Sequence, residues 1–387
     1  MDGDRIDGRR LATTIFVAVT SNSVLSASRF AVPVVALGFG ASDFTVGVLS
    51  ALLMIVPLVT TVPYGRWMDR VGALKPMKIA TALAILAGLV SVVQPGLVSL
   101  ALTSALAGAG AMLCHVASIK AVGGAGDRNT RVRTLGLLAM AYSVMQFVSP
   151  LVIGYAYDHS GPRAAFLALS TTPLLGMVVL LVGRHFYVPT VSHASEPVAP
   201  GGRLGLLADA RLRGWALIYA VFQAGLGLYP IVLAMHGSKL GMSGAVISGL
   251  FAAQAVGQIA SRGTISLIQS AVSRRLLVST ALVVSAAAYA ITPLLQDWSL
   301  LAAVSVCVGA ATGLGQPVSM AMVYETAPPR RVNEAISMAS ISANALQLVA
   351  PFVSGALASL YGIATMTSIL ALSLIAAAFV GARHAGR

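Results

Sequence analysis

Residues 63–78 read PYGRWMDRVGALKPMK. Apolar runs of about 20 residues, the length that crosses a bilayer, flank this stretch on both sides. Inside it sit four basic residues, Arg66, Arg70, Lys75 and Lys78, and one acid, Asp69. A short basic segment between two spans reads as a cytoplasmic hairpin by the positive-inside rule. Gly65 permits a tight helix end and Gly72 permits positive φ. Asp69 is placed to meet a helix N-terminus or a neighbouring arginine.

The rest of the composition agrees with a membrane setting. Of 387 residues, 57% are hydrophobic and only 10% are charged, too few charges to keep a chain of this size dissolved. The class is an all-α polytopic membrane protein. At about 25 residues per span and its loop, the length accommodates roughly twelve helices. A net charge of +13 would suit nucleic acid, but its placement points elsewhere. Arg29, Arg163 and Lys239 are the three basic residues read outside the cytoplasmic loops, and the other 22 of 25 lie within or beside them. The charge therefore orients the chain, and no nucleic-acid partner is expected. Cys114 and Cys307 both fall in apolar spans and read as small buried hydrophobes. No disulfide, metal site or cofactor is implied.

In chain order, residues 1–10 form a charged cytoplasmic tail, followed by spans at 11–37, 44–64, 76–93, 97–122, 134–157 and 163–181. Ser26-Ala27-Ser28 could serve a signal peptidase, but cleavage there would delete a span and break the repeat described next. Residues 183–213 are rich in Pro, Gly and Ser and carry Arg184, Arg203, Arg211 and Arg213, as a linker does. Six more spans follow at 212–235, 244–268, 276–295, 298–325, 332–360 and 363–380. The expected division is an N-terminal six-helix bundle over 1–183, a cytoplasmic linker over 184–211 and a C-terminal six-helix bundle over 212–387. Both termini come out cytoplasmic.

The two halves can be laid over each other. At an offset of 201, Gly108 meets Gly309, Gln146 meets Gln347, Pro150 meets Pro351, Gly154 meets Gly355 and Gly161 meets Gly362. QFVSPLVIG and QLVAPFVSG share a Gln-x-Val-x-Pro-x-Val-x-Gly frame. Spans 1 and 7 align at an offset of 197, which puts Pro33 on Pro230.

With the repeat in view, the order Gly65, Asp69, Arg70, Gly72, Lys75 resembles the signature between helices 2 and 3 of the major facilitator superfamily. Arg274-Arg275 is its remnant in the second half. Ser149-Pro150-Leu151-Val152-Ile153-Gly154 looks like the family's helix-5 signature, Gly-Pro-x-x-Gly-Gly, with two glycines replaced. That change weakens the antiport function the motif implies. The resemblance implies parallel six-span repeats related by an axis along the membrane normal, with spans 1, 4, 7 and 10 lining a central cavity. It also implies that Asp69 and Arg70, set by Gly65 and Gly72, lock the cytoplasmic ends. Asp127, Arg128 and Arg133 are available as their partners.

Polar residues inside spans are costly unless they face a cavity or a partner. Asn22, Ser26, Arg29 and Pro33 form one helical stripe on span 1. Tyr219, Gln223, Leu226 and Pro230 form the repeat-related stripe on span 7. His115 lies with Met112 and Ile119 on one face of span 4, and Gln316 is its counterpart on span 10. Asn22, Arg29, His115, Gln223 and Gln316 are therefore the candidate substrate-binding residues. Against this stand a snorkelling Arg29, a carbonyl-satisfied His115 and interhelical glutamines. The span-11 stripe of Ser337, Ser340, Asn344 and Gln347 reads as helix packing. No carboxylate falls near the middle of any span. A proton pathway would have to use His115, or Glu325 near the inner end of span 10. A neutral or anionic small solute is favoured, with Arg29 as counter-charge.

The expected function is secondary transport by alternating access, either metabolite uptake or efflux, in a bacterial inner membrane. The partners expected are a small-molecule substrate, the lipid bilayer and protons as candidate coupling ion, with the chain a monomer. A non-transporting member of the fold would carry long loops or a soluble domain, which this chain lacks. A membrane enzyme would need a convergent acid, base or nucleophile set, and His115 has no acid near it in sequence. No enzymatic activity is expected.

Overall fold

The computed structural model describes residues 8–123, 128–186, 209–328 and 331–385. Long apolar stretches leave the backbone one economical solution in hydrocarbon: a helix bonds every N–H and C=O within its own segment. The first four helices are α1 (Gly8–Gly38), α2 (Asp43–Val71), α3 (Leu74–Val93) and α4 (Leu97–Gly123). The run Arg128–Val182 is broken at Gly161, with φ 77° and ψ −174°, into α5 (128–160) and α6 (162–182). Next come α7 (Ala210–Lys239), α8 (Gly244–Ala271), α9 (Arg274–Ile291) and α10 (Trp298–Thr326). The run Val332–Ala385 is broken at Gly362, with φ 83° and ψ 165°, into α11 (332–361) and α12 (363–385). Among the described residues, nine helical runs are long and apolar enough to cross a membrane, and Asp43–Val59 and Ile363–Phe379 are shorter apolar helices. One of the nine holds the Gly161 break, and this gives twelve spans in all.

The chain forms two compact units. One comprises Met1–Ala41 and Leu52–Pro197, the other Ser42–Ala51 and Val198–Arg387. α2 is thus divided, its first turns clustering with the second unit. There Lys239 Nζ donates to Asp43 Oδ2 at 2.7 Å, and the Phe44 and Phe352 rings meet edge to face at 5.4 Å. Within the first unit α1 packs on α4 and on the α5–α6 run, and α3 packs on α4. Within the second, α10 packs on α7, α8 and α9, and the α11–α12 run on α7 and α9.

The sequence repeat has a backbone counterpart inside each unit. Five residues, all glycines, have positive φ among the described residues: Gly40, Gly72, Gly161, Gly241 and Gly362. Gly161 and Gly362 stand at the 201-residue offset, and so do Gly40 and Gly241. A Cβ on Gly108 would overlap the Leu53 carbonyl, and one on Gly309 the Gln254 carbonyl. Leu53 and Gln254 are themselves 201 apart. The α2–α4 crossing of one unit and the α8–α10 crossing of the other therefore use the same register.

Several boundaries differ from the sequence reading. α1 begins at Gly8, inside the expected tail. α2 does not stop at Tyr64 but continues to Val71, so Gly65, Arg66, Asp69 and Arg70 belong to its last turns, not to a loop. The helix ends where Gly72, at φ 74°, donates its N–H to the Met68 carbonyl at 3.0 Å, a C-terminal capping bond that favours glycine. Likewise α5 starts at Arg128, which makes Arg128, Arg131 and Arg133 helical. Asp127 and nearly all of the 184–211 linker lie outside the described residues. Cys114 is buried as expected, but Cys307 is exposed, on the same face of α10 as the exposed Val306.

Candidate functional site

In the first unit the α1 stripe is the accessible side of a buried helix. Asn22, Ser26 and Arg29 are half-buried, while Ser21, Ser23, Ala27, Ser28 and Phe30 around them are buried. The buried faces of α1 are occupied by side-chain bonds. Ser21 Oγ meets Thr81 Oγ1 of α3 at 3.1 Å, and Ser23 Oγ meets Thr172 Oγ1 of α6 at 3.0 Å. His115 on α4 is half-buried, its ring 5.4 Å from that of Tyr142 on α5. The buried Tyr142 hydroxyl has no hydrogen-bond partner among the described residues. No hydrogen bond joins Asn22, Arg29 and His115 to one another among the described residues. Cys114 and Ser118 sit behind His115 on the packed side of α4, where Ser118 Oγ donates to the Cys114 carbonyl at 2.7 Å.

The second unit holds the more connected cluster. On α7, Tyr219 and Gln223 are half-buried between buried neighbours, and Leu226 is half-buried beside the buried Gly225. Gln223 Nε2 donates to the Tyr219 hydroxyl at 3.1 Å. Gln316 on α10 stands beside that hydroxyl, and its Oε1 accepts from Arg262 Nη2 on α8 at 3.0 Å. The packing that brings α8 and α10 this close rests on small residues: Gly309 and Gly313 lie against Gln254, Gln258 and Ser261. Gln254 and Gln258 are buried, and neither Nε2 has a hydrogen-bond partner among the described residues.

Arg262 corrects the charge count made from sequence. The positive-inside reading groups it with the basic turn at Ser273, but it lies inside the apolar segment Gly244–Ile265. A signal was present: Arg262 is the one charged residue between Gly244 and Ala271, and it continues a Gln254, Gln258 register at four-residue steps. Gln223 and Gln316 thus meet through Tyr219. The first-unit candidates Asn22, Arg29 and His115 share a unit but not a bonded network. Of the gate candidates, Gly65, Asp69, Arg70 and Arg133 are placed on α2 and α5, Gly72 is the α2 cap, and Asp127 lies outside the described residues. Among the described residues, no cluster of His, Cys, Asp and Glu could hold a metal ion.

Long apolar helices that bury polar side chains at intervals are the build of a polytopic membrane protein. A sequence profile of the Major Facilitator Superfamily matches residues 11–259 and 215–385, and the chain belongs to that family. The fold is similar to the crystal structure of a mutant of the nucleoside transporter NupG: TM-score 0.75 at 14% identity, covering 96% of this chain and 99% of that one. It is equally similar to a POT family transporter in complex with a thioalcohol-conjugated peptide: TM-score 0.75 at 13% identity, covering 97% and 96%. A mutant of the peptide transporter POT gives TM-score 0.75 at 14% identity, covering 97% and 94%. At such identities the likeness is one of fold. A search of curated proteins returns no match.

Proposed function

We propose that this chain is a secondary transporter that moves a small neutral or anionic organic solute across a bacterial inner membrane by alternating access. Family membership supports transport, and the observation that carries the solute class is the bonded polar cluster Tyr219–Gln223 and Gln316–Arg262 within the spans. A charged group in hydrocarbon is retained at such expense only for a function. On this reading the halves 1–183 and 212–387 are joined by the cytoplasmic linker 184–211. Access alternates between the two sides of the membrane, and Asn22, Arg29 and His115 of the first half are substrate-binding candidates. Both termini are cytoplasmic. Asp69 and Arg70, with Asp127 and Arg133, lock the cytoplasmic side, and Gly65 and Gly72 set their geometry. His115, or Glu325 near the inner end of α10, is the proton-carrying candidate.

The test is uptake by the purified protein in liposomes from a panel of labelled sugars, nucleosides, short peptides and organic acids. Saturable uptake of one class above protein-free liposomes is expected. Fluxes equal to those of protein-free liposomes across the panel would support the non-transporting reading of the fold.

A further inference from the structure

We infer that Gln347 and Asn344 on α11 are substrate-binding residues, and that the solute they take is neutral and carries hydroxyl or amide groups. This rests on the transport reading and narrows its substrate class. The Gln-x-Val-x-Pro-x-Val-x-Gly frame marks the repeat, and its glutamine in the second half has chemistry of its own. Gln347 lies fifteen residues from the start of α11 and fourteen from its end. At 1.5 Å per residue that is about 21 Å from the nearer end, beyond the reach of its side chain. Gln347 and Asn344 are half-buried, and neither makes a hydrogen bond among the described residues. The hydroxyls beside them differ. Ser340 donates to the Ile336 carbonyl and Ser342 to the Met338 carbonyl, bonds within their own helix. An unmatched amide in hydrocarbon is unfavourable, and polar groups kept at such depth mark a solute pathway.

The two amides lie on an inward face of α11. Asn344, Gln347, Pro351 and Gly355 recur at helical spacing. Further along this face Pro351 and Gly355 lie against Gly47, in the turns of α2 that cluster with the second unit. The exposed Val349 and Val353 lie on the other side of the helix. At the level of Gln347 the face meets α7, where Gln347 Oε1 lies 3.9 Å from the place a Cβ on Gly227 would take. Gly227 is on the accessible side of α7, one turn from Gln223. Gln223 gives its Nε2 to the Tyr219 hydroxyl and keeps Oε1 as an acceptor. The lining shared by α7 and α11 therefore offers three amide carbonyls, with the amide N–H donors of Asn344 and Gln347 beside them. Neither 214–238 nor 335–361 contains an Asp, Glu, Lys or Arg, and the Arg262 guanidinium on α8 is engaged by Gln316. Such a lining matches groups that donate and accept together, as hydroxyls and amides do. An ion would be left there without a counter-charge.

The experiment is thermal unfolding of the full-length protein in detergent, at constant ionic strength, with glucose, ribose, uridine or N-acetylglucosamine. Sodium succinate and choline chloride serve as anionic and cationic controls. A ligand of the native state raises Tm in a saturable way, and at least one of the four neutral solutes is expected to do so. Gln347→Leu is expected to weaken its apparent Kd by about tenfold or more. The same variant should leave the Tm of the unliganded protein unchanged or raised, because it removes an unmatched amide from a span. A glutamine that serves helix packing gives the reverse, a lowered unliganded Tm with a wild-type Kd, and that result overturns the assignment. If Gln347→Leu does not fold, Asn344→Ala carries the comparison, and a wild-type Kd in that variant overturns the site. No saturable shift with any of the four neutral solutes overturns the solute class, and so does a shift with succinate or choline alone. Transport itself is read separately, as flux in liposomes, and stands if these solutes fail to bind while another is carried.

Discussion

At the start of α10 the Asp297 carboxylate accepts from the Ser299 hydroxyl, from Ser299 N–H at 2.7 Å and from Leu300 N–H at 3.2 Å. These bonds, the Ser299 hydroxyl foremost, hold its pKa below the ordinary carboxylate value. A depressed folded-state pKa adds stability that is fully present above the unfolded value, about 3.9, and lost as pH falls through the folded value. Asp297→Ala should therefore lower Tm at neutral pH and remove that acid-side dependence. Asp297→Asn should keep most of the neutral-pH stability, because Asn also caps. Thermal scans between pH 3 and 7 check both. At the same scale, His115→Gln, which installs the residue of its repeat partner Gln316, should abolish the pH dependence of uptake without abolishing uptake. Survival of that dependence would remove His115 from the proton path.

The helix pairs make stronger demands. Gly309 and Gly108 each face a carbonyl of the neighbouring helix, and a Cβ at either would overlap it. Backbone cannot yield as a flexible side chain can. Gly309→Ala and Gly108→Ala should each cost about 1–3 kcal/mol or more, measured by denaturant unfolding in detergent. Gly249→Ala, where nothing lies within 4 Å, should be near neutral. The repeat that pairs Gly108 with Gly309 is readable in the sequence because identical glycines recur at fixed spacing. The spans are equally readable, since hydrophobic length alone forces a helix in lipid. Helix ends were less so. The charged final turns of α2 look like a loop to a hydropathy reading, although the helical backbone continues through them until Gly72 stops it. Arg262 was hidden for a related reason. Counting charges by side of the membrane assigns it to the nearest basic turn, and its partner Gln316 lies 54 residues away, on a helix that only tertiary packing brings close.

Taken as a whole, the molecule is a member of the Major Facilitator Superfamily whose two halves repeat one sequence design and differ in the polar residues of their helices. Gln254, Gln258 and Arg262 stand where Leu53, Pro57 and Thr61 stand in the first half at the 201-residue offset, so the α8 stripe belongs to one half alone. If the cytoplasmic ends are locked through Asp69, Asp69→Asn should lower turnover by about tenfold, the effect of roughly 1.4 kcal/mol on a barrier, with expression and insertion unchanged. Wild-type rates in that variant would remove Asp69 from the lock. Alternating access itself is tested by trans-stimulation. Liposomes carrying the protein are preloaded with unlabelled solute, and uptake of the labelled solute is compared with that into empty-lumen liposomes. A carrier that reorients around a single site should exchange faster than it achieves net uptake, with saturation on both sides. Flux that rises linearly with concentration and ignores the trans solute would contradict it.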